Sequence, residues 1–254
     1  EMLSQIENTA TRLLNDQTES LKAAIDREKE ALIKQIKVVR DKADEDAKMG
    51  VVHTNNHDVR YAHRDDTINA AKNLEDMVNT LSSQKLIEFQ SLLDNLLKES
   101  SNDAYRKLLE RTKGNVSIDE QTQKILNSIQ DEVLRQFTYL AYIKDNTLSG
   151  DALIKAGKTL MEESLNSTYE SRMASEEERI RKELEAARVD KDIISKVVSK
   201  KEGTAKERLS QMQAQATTEV IGETVRQQSL KVIMKAVADR GFIVDKKNIK
   251  INRE

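Results

Sequence analysis

The residues best suited to metal chemistry are three histidines that lie close together in one short stretch. His53 and His57 are four residues apart, so on a helix both imidazoles would face one side, as two ligands of a zinc ion do. The third histidine is His63, and Asp58, Asp65 and Asp66 are possible third ligands. The alternative is a solvated connector between helices, and no glutamate follows His53 as it would in a zinc protease. We predict the connector, with no metal and no cofactor.

Motifs for other catalytic chemistry are absent from the sequence. There is no phosphate-binding loop, no dinucleotide fingerprint, no nucleophile elbow and no cysteine, and only seven glycines are available to shape a backbone around a cofactor. Acidic residues number 44 of 254, so carboxylate pairs recur by chance and none stands out as a general acid and base. We therefore expect a protein that is not an enzyme and has no small-molecule substrate.

One short basic run raises the question of nucleic acid. It contains Lys196, Lys200, Lys201, Lys206 and Arg208. Glu202 and Glu207 interrupt this run, and the whole chain balances 42 basic against 44 acidic residues. A solvated helix face is the simpler interpretation, with a phosphate-binding patch as the alternative.

The composition points to an all-α fold with a thin core. No proline occurs, where average usage of about 5% would give roughly a dozen. Aromatic residues make up 3% and charged residues 34%, which suits long amphipathic helices better than a globular core. No apolar run approaches the roughly 18 residues that span a bilayer, so we expect no transmembrane segment and leave the localisation open.

Residues 151–240 carry apolar side chains at steps of three and four almost throughout, which predicts one very long helix. Gly203 followed by Thr204 and Glu207 could instead end one helix and start the next. A helix of this length cannot be covered wholly by a first arm of about 48 residues. We therefore expect part of its stripe to bind a protein partner, namely Ile180, Leu184, Ile194, Val197 and Leu209.

Residues 1–50 form the other predicted long helix, whose apolar positions recur about every 3.67 residues, close to an eleven-residue repeat. Gln17 and Glu28 interrupt this stripe. We expect the helix to pair antiparallel with residues 151–240 as a coiled-coil stalk. Residues 51–150 would be an inserted helical-bundle head, with helices over 66–99 and 104–113 and another from a capping box at Ser117–Glu120 to Ile143.

Residues 241–254 read as a short β-hairpin around a polar turn. Its apolar residues are Phe242, Ile243, Val244, Ile249 and Ile251. A lone hairpin is marginal in water, so it must pack on its own chain or add to the sheet of a partner.

Three functions remain open from the sequence. The first is a non-enzymatic structural or adaptor subunit of a larger assembly, which docks through coiled-coil faces and the hairpin, with a protein partner or a second copy. The second is a secreted or surface-exposed helical protein that binds a cell-surface partner through the head. The third is a nucleic-acid-associated coiled-coil protein that uses the basic run.

Overall fold

The computed structural model describes residues 9–49, 57–112, 117–199 and 201–239, and within these ranges it contains seven helices and no strand. The helices are α1 (Thr9–Met49), α2 (His57–Thr112), α3 (Glu120–Ser128), α4 (Glu132–Lys144), α5 (Gly150–Ala186), α6 (Lys191–Val197) and α7 (Ala205–Asp239). The all-α prediction is confirmed. The hairpin predicted for 241–254 lies outside the described residues.

Helix α2 is longer than predicted, because it continues through the residues expected to cap a new helix at 104. Ser100 and Ser101 are buried inside it, and the Ser101 hydroxyl donates a hydrogen bond to the Gln136 side chain of α4. The serines therefore serve packing, not capping. At 1.5 Å per residue the 56 residues of α2 span about 84 Å.

The helix predicted from 118 to 143 is two helices, and its capping box is not used. Asp119, not Ser117, caps α3: its carboxylate accepts hydrogen bonds from the Thr122 amide at 2.8 Å and from Tyr142 at 3.0 Å. Asp131 in turn caps α4 by accepting from the Leu134 amide. Each aspartate satisfies an amide that has no partner within its own helix, so the chain can break between the two helices.

The single helix predicted for 151–240 is wrong, since the chain breaks twice. After Ala186 the chain turns through Arg188, which has a left-handed φ of 61°, into the short helix α6. The second break is the one expected at Gly203 (φ 105°). There Thr204 and Glu207 form a reciprocal capping box, each side chain accepting from the amide of the other.

The antiparallel pairing predicted for α1 with α5 and α7 is also wrong. Gln17 lies beside Tyr169 and Ser210, and further along the same helices Glu28 lies beside Gly222. Helices α1, α5 and α7 therefore run parallel. Helix α2 is antiparallel to all three. Its Glu99 pairs with Arg172 of α5, and its Lys85 pairs with Glu183 further along α5.

The core runs through both the predicted arms and the predicted head. One cluster of buried side chains joins Leu21 of α1, Leu93 of α2, Phe137 of α4, Leu165 of α5 and Leu209 of α7. Helices α2 and α7 both contact α1 on one side and α5 on the other. The middle of the molecule is thus a four-helix arrangement and not a two-helix stalk.

Both polar interruptions of the α1 stripe have partners in this arrangement. The Gln17 side chain accepts a hydrogen bond from Tyr169 at 2.7 Å and donates one to Ser210 at 2.9 Å. Burial, aided by Glu219, raises the pKa of Glu28, and Arg226 opposes the shift. These contacts fix the register of α1 against α5 and α7.

Candidate functional site

The five stripe residues expected to bind a partner lie in the core of the chain itself. The exposed fractions are 0% for Ile180 and Leu184, 3% for Ile194, 4% for Val197 and 1% for Leu209. The expectation that this stripe stays uncovered is wrong, because the two breaks fold α6 and α7 back onto α5. Phe242, Ile243, Val244, Ile249 and Ile251 lie outside the described residues.

The other sequence candidates are not brought together as sites. His53 and the side chain of His57 lie outside what the structure describes, and the described residues contain no group of three metal-ligating side chains. In the basic run, Lys201 donates to Gln215 at 2.7 Å and Arg208 pairs with Glu170 at 2.7 Å. Lys201 also donates to the backbone carbonyl of Lys196 at 3.1 Å, whereas Arg208 is held against α5 by its ion pair, so the run does not form one continuous basic surface.

A cleft of about 320 Å³ lies where α5, α6 and α7 meet. Met173 and Met212 form its apolar part, and Lys201 and Arg208 lie beside them. Glu177 also lines the cleft, and Arg208 already pairs with Glu170, so the lining carries charges of both signs. It is a small surface depression of the fold, and we do not take it as the functional site.

A longer feature begins where α5 ends. Near this end the side-chain amide of Gln227 on α7 donates a hydrogen bond to the Ala187 carbonyl, at 3.1 Å. Helix α7 continues to Asp239. Because α2 runs antiparallel to α7, the N-terminal part of α2 lies beside this end of α7. Beyond Gln227, none of the described helices takes the position that α5 occupies between α2 and α7.

The α7 side of this position continues the stripe that α5 covers. Gln213, Ala216, Val220 and Glu223 follow one another at steps of three and four, and all are at least 90% buried. The same steps lead through Gln227 to Leu230, Met234 and Val237. These three apolar side chains are only half-buried, and Val225 is the last buried side chain among the described residues of α7.

The α2 side shows the same change of exposure. Lys85 marks the face of α2 that meets α5, because its ammonium pairs with Glu183 at 2.6 Å. The same face continues from Lys85 towards the start of α2, one turn at a time, through Leu81, Met77, Leu74 and Ala70. All four side chains are half-buried. Helical spacing places these four residues across from the uncovered part of α7.

We call this feature the open groove and define it by Ala70, Leu74, Met77 and Leu81 of α2 with Leu230, Lys231, Met234 and Val237 of α7. From Gln227 to Ala238 the only charged residues are Lys231 and Lys235, both exposed. Neither has an ion-pair partner among the side chains that the structure describes. At 1.5 Å per residue the α2 wall of the groove is about 16 Å long, which matches three turns of a helix.

The sequence carried a signal for this groove. Residues 229–238 contain seven apolar residues and two lysines, and their spacing continues the stripe of α7. The pattern did not predict a groove, because a single unbroken helix over 151–240 gives no reason for the stripe to be buried in one part and exposed in another. Only the end of α5 at Ala186 separates the covered part of the stripe from the uncovered part.

Comparison with known proteins gives no family: no protein-family model, no curated protein and no solved structure matches the chain. None of the helices in the described ranges has the length and apolarity needed to cross a membrane.

Proposed function

We propose that the chain is a non-enzymatic structural or adaptor subunit of a larger assembly, and that a protein partner docks in the open groove. The observation that carries the proposal is the change in burial along one stripe of α7. The stripe is buried as far as Glu223 and only half-buried at Gln227, Leu230, Met234 and Val237. Burying such side chains is worth about 1.5 to 3 kcal/mol each, so a partner that covers them gains affinity.

The overall shape supports the same function. The chain exposes 16296 Å² of surface, whereas a compact monomer of 28.9 kDa exposes roughly 11,000 Å². Long parallel helices with charged outer faces provide extended surface at the expense of enclosed volume, as a scaffold requires. The part of the structure that is described encloses no deep pocket for a substrate.

The test is the native size of the chain in extracts of its source cells, measured by sedimentation. We expect the full chain to sediment with an assembly much larger than 28.9 kDa, and Met234→Asp to shift it towards the free protein. Ile87→Asp is the control, because Ile87 is 65% exposed on α2 and is not a groove residue. Sedimentation of the native chain as a free monomer would reject an assembly subunit.

A further inference from the structure

The open groove also defines the chemistry of its occupant, and this step rests on the proposed function. We infer that the groove receives an amphipathic helix of another protein, about three turns long, with an apolar stripe and a carboxylate that pairs with Lys231. Helix α5 shows how a helix fills the neighbouring part of the same groove. The occupant would continue the path of α5 along α2 and α7.

The apolar part of the inference follows from α5. Its residues Ile180 and Leu184 are one turn apart and fully buried in the core that α2 and α7 share. The groove beyond α5 is lined by the same kinds of side chain, with Leu74 and Met77 on α2 and Leu230 and Met234 on α7. An occupant with leucine or isoleucine at i and i+4 would cover both walls, as helices laid in apolar grooves do.

The acidic part follows from the charges of the walls. In the covered part of the groove, Glu183 of α5 pairs with Lys85 of α2. In the open groove the cation is on α7, where Lys231 lies between Leu230 and the next turn of the stripe. An acidic residue on the occupant would repeat the pairing on the other wall.

The same lysines argue against a second copy of the chain. In a two-fold contact each copy presents the same surface, and the residues that define the groove include Lys231 but no carboxylate, so a second copy brings more cations to the contact and no acidic partner. Like charges brought together in this way weaken association. A different protein with acidic flanks avoids that repulsion.

A binding experiment with synthetic helices tests the inference on the full chain. The probe is an 18-residue peptide with leucine at steps of three and four and glutamate beside the stripe, and the comparison peptide has lysine in place of glutamate. We expect saturable binding of the glutamate peptide only. Met234→Asp should weaken it more than tenfold and Lys231→Glu about fivefold, with Lys231→Glu now accepting the lysine peptide.

Two control variants separate the groove from general surface effects. Val38→Asp on α1 and Ile87→Asp on α2 change apolar side chains that are 61% and 65% exposed and are not groove residues, so both should leave peptide affinity unchanged. Circular dichroism of every variant checks that it is folded. Equal affinity for the two peptides, no binding of either, or equal loss in the control variants would overturn the inference.

Photo-crosslinking in the source cells identifies the natural occupant. With Met234→p-benzoylphenylalanine in the full chain, we expect a crosslink to another protein, in a segment with apolar residues one turn apart and an acidic flank. A crosslink to residues 240–254 of the same chain, to a second copy or to lipid would overturn the inference. If the chain still sediments in a large assembly, that result leaves the proposed function standing.

Discussion

Two glycines in helix interiors have different roles, which depend on what lies opposite each of them. At Gly157 of α5 an added Cβ would lie 2.5 Å from the Thr138 hydroxyl and 2.7 Å from the Thr138 Cα. At Gly222 of α7 it would meet only the Glu28 carboxylate oxygen, at 3.2 Å. A backbone atom cannot yield as the end of a long side chain can, so only Gly157 is required for close helix packing.

We expect Gly157→Ala to lower the free energy of unfolding by about 1 to 3 kcal/mol, because α4 and α5 must move apart. Gly222→Ala is the matched change, and it should range from neutral to about 1 kcal/mol more stable because alanine favours the helix. Urea unfolding followed by circular dichroism measures both. Equal effects would show that the contact at Thr138 does not set the helix separation.

Tyr169 gives a test that depends on pH. Burial raises the pKa of its phenol from 10.0 to about 12. A raised pKa in the folded state contributes stability that is complete below pH 10 and is lost as the pH rises through 12. Unfolding free energy should therefore fall more steeply between pH 10 and 12 in the native chain than in Tyr169→Phe.

At neutral pH Tyr169→Phe should cost about 1 kcal/mol, because the Gln17 carbonyl oxygen loses its donor. Tyr105→Phe serves as the control, since Tyr105 is 39% exposed. The interpretation fails if the two variants have parallel stability curves over the whole pH range.

At the scale of the helices, the sequence predicts the type of element well and the ends less well. The steps of three and four identify all the long helices, and Gly203 with Thr204 and Glu207 marks the start of α7. The turn at Arg188 has no such signal, because a left-handed arginine is not expected from its residue type. Missing this turn also hid the open groove, since the groove exists only because α5 ends there.

Arg188→Gly should stabilise the chain by roughly 0.5 to 1 kcal/mol, because glycine adopts the left-handed φ of 61° without steric cost. Arg181→Gly, inside α5, should destabilise by about 1 kcal/mol, because there the same change only weakens the helix. Thermal and urea unfolding of the two variants show whether each is more or less stable than the native chain. Loss of stability in Arg188→Gly would mean that the arginine side chain holds the turn.

For the whole molecule, the path of the chain was the hardest feature to predict. Apolar spacing shows that a helix has one buried face, but it does not show which helix covers that face. The parallel direction of α1, α5 and α7 depends on contacts such as Gln17 with Tyr169, 152 residues apart. No local pattern reports such a pairing.

The position of Ile194 and Val197 in the core leads to a strong prediction. Ile194→Asp with Val197→Asp places two carboxylates in apolar surroundings, which costs several kcal/mol and rivals a total stability of about 5 to 15 kcal/mol. We expect cooperative loss of helix, from at least about 70% in the native chain, in far-ultraviolet circular dichroism. The control, Ile87→Asp with Ile233→Asp, should remain folded because both side chains are exposed. A double core variant that keeps its native spectrum would contradict the packing of α6.

The parallel arrangement has a consequence for synthesis on the ribosome. Gln17 receives its partner Ser210 only after a further 193 residues have been added. At 5 to 20 residues per second this takes roughly 10 to 40 s. Once α2 has been synthesised as far as Thr112, it can pair with α1, while Leu21, Ile25 and Phe89 await the helices that complete their core. The nascent chain is therefore most prone to aggregation just before α7 emerges, and α7 is the segment that completes folding.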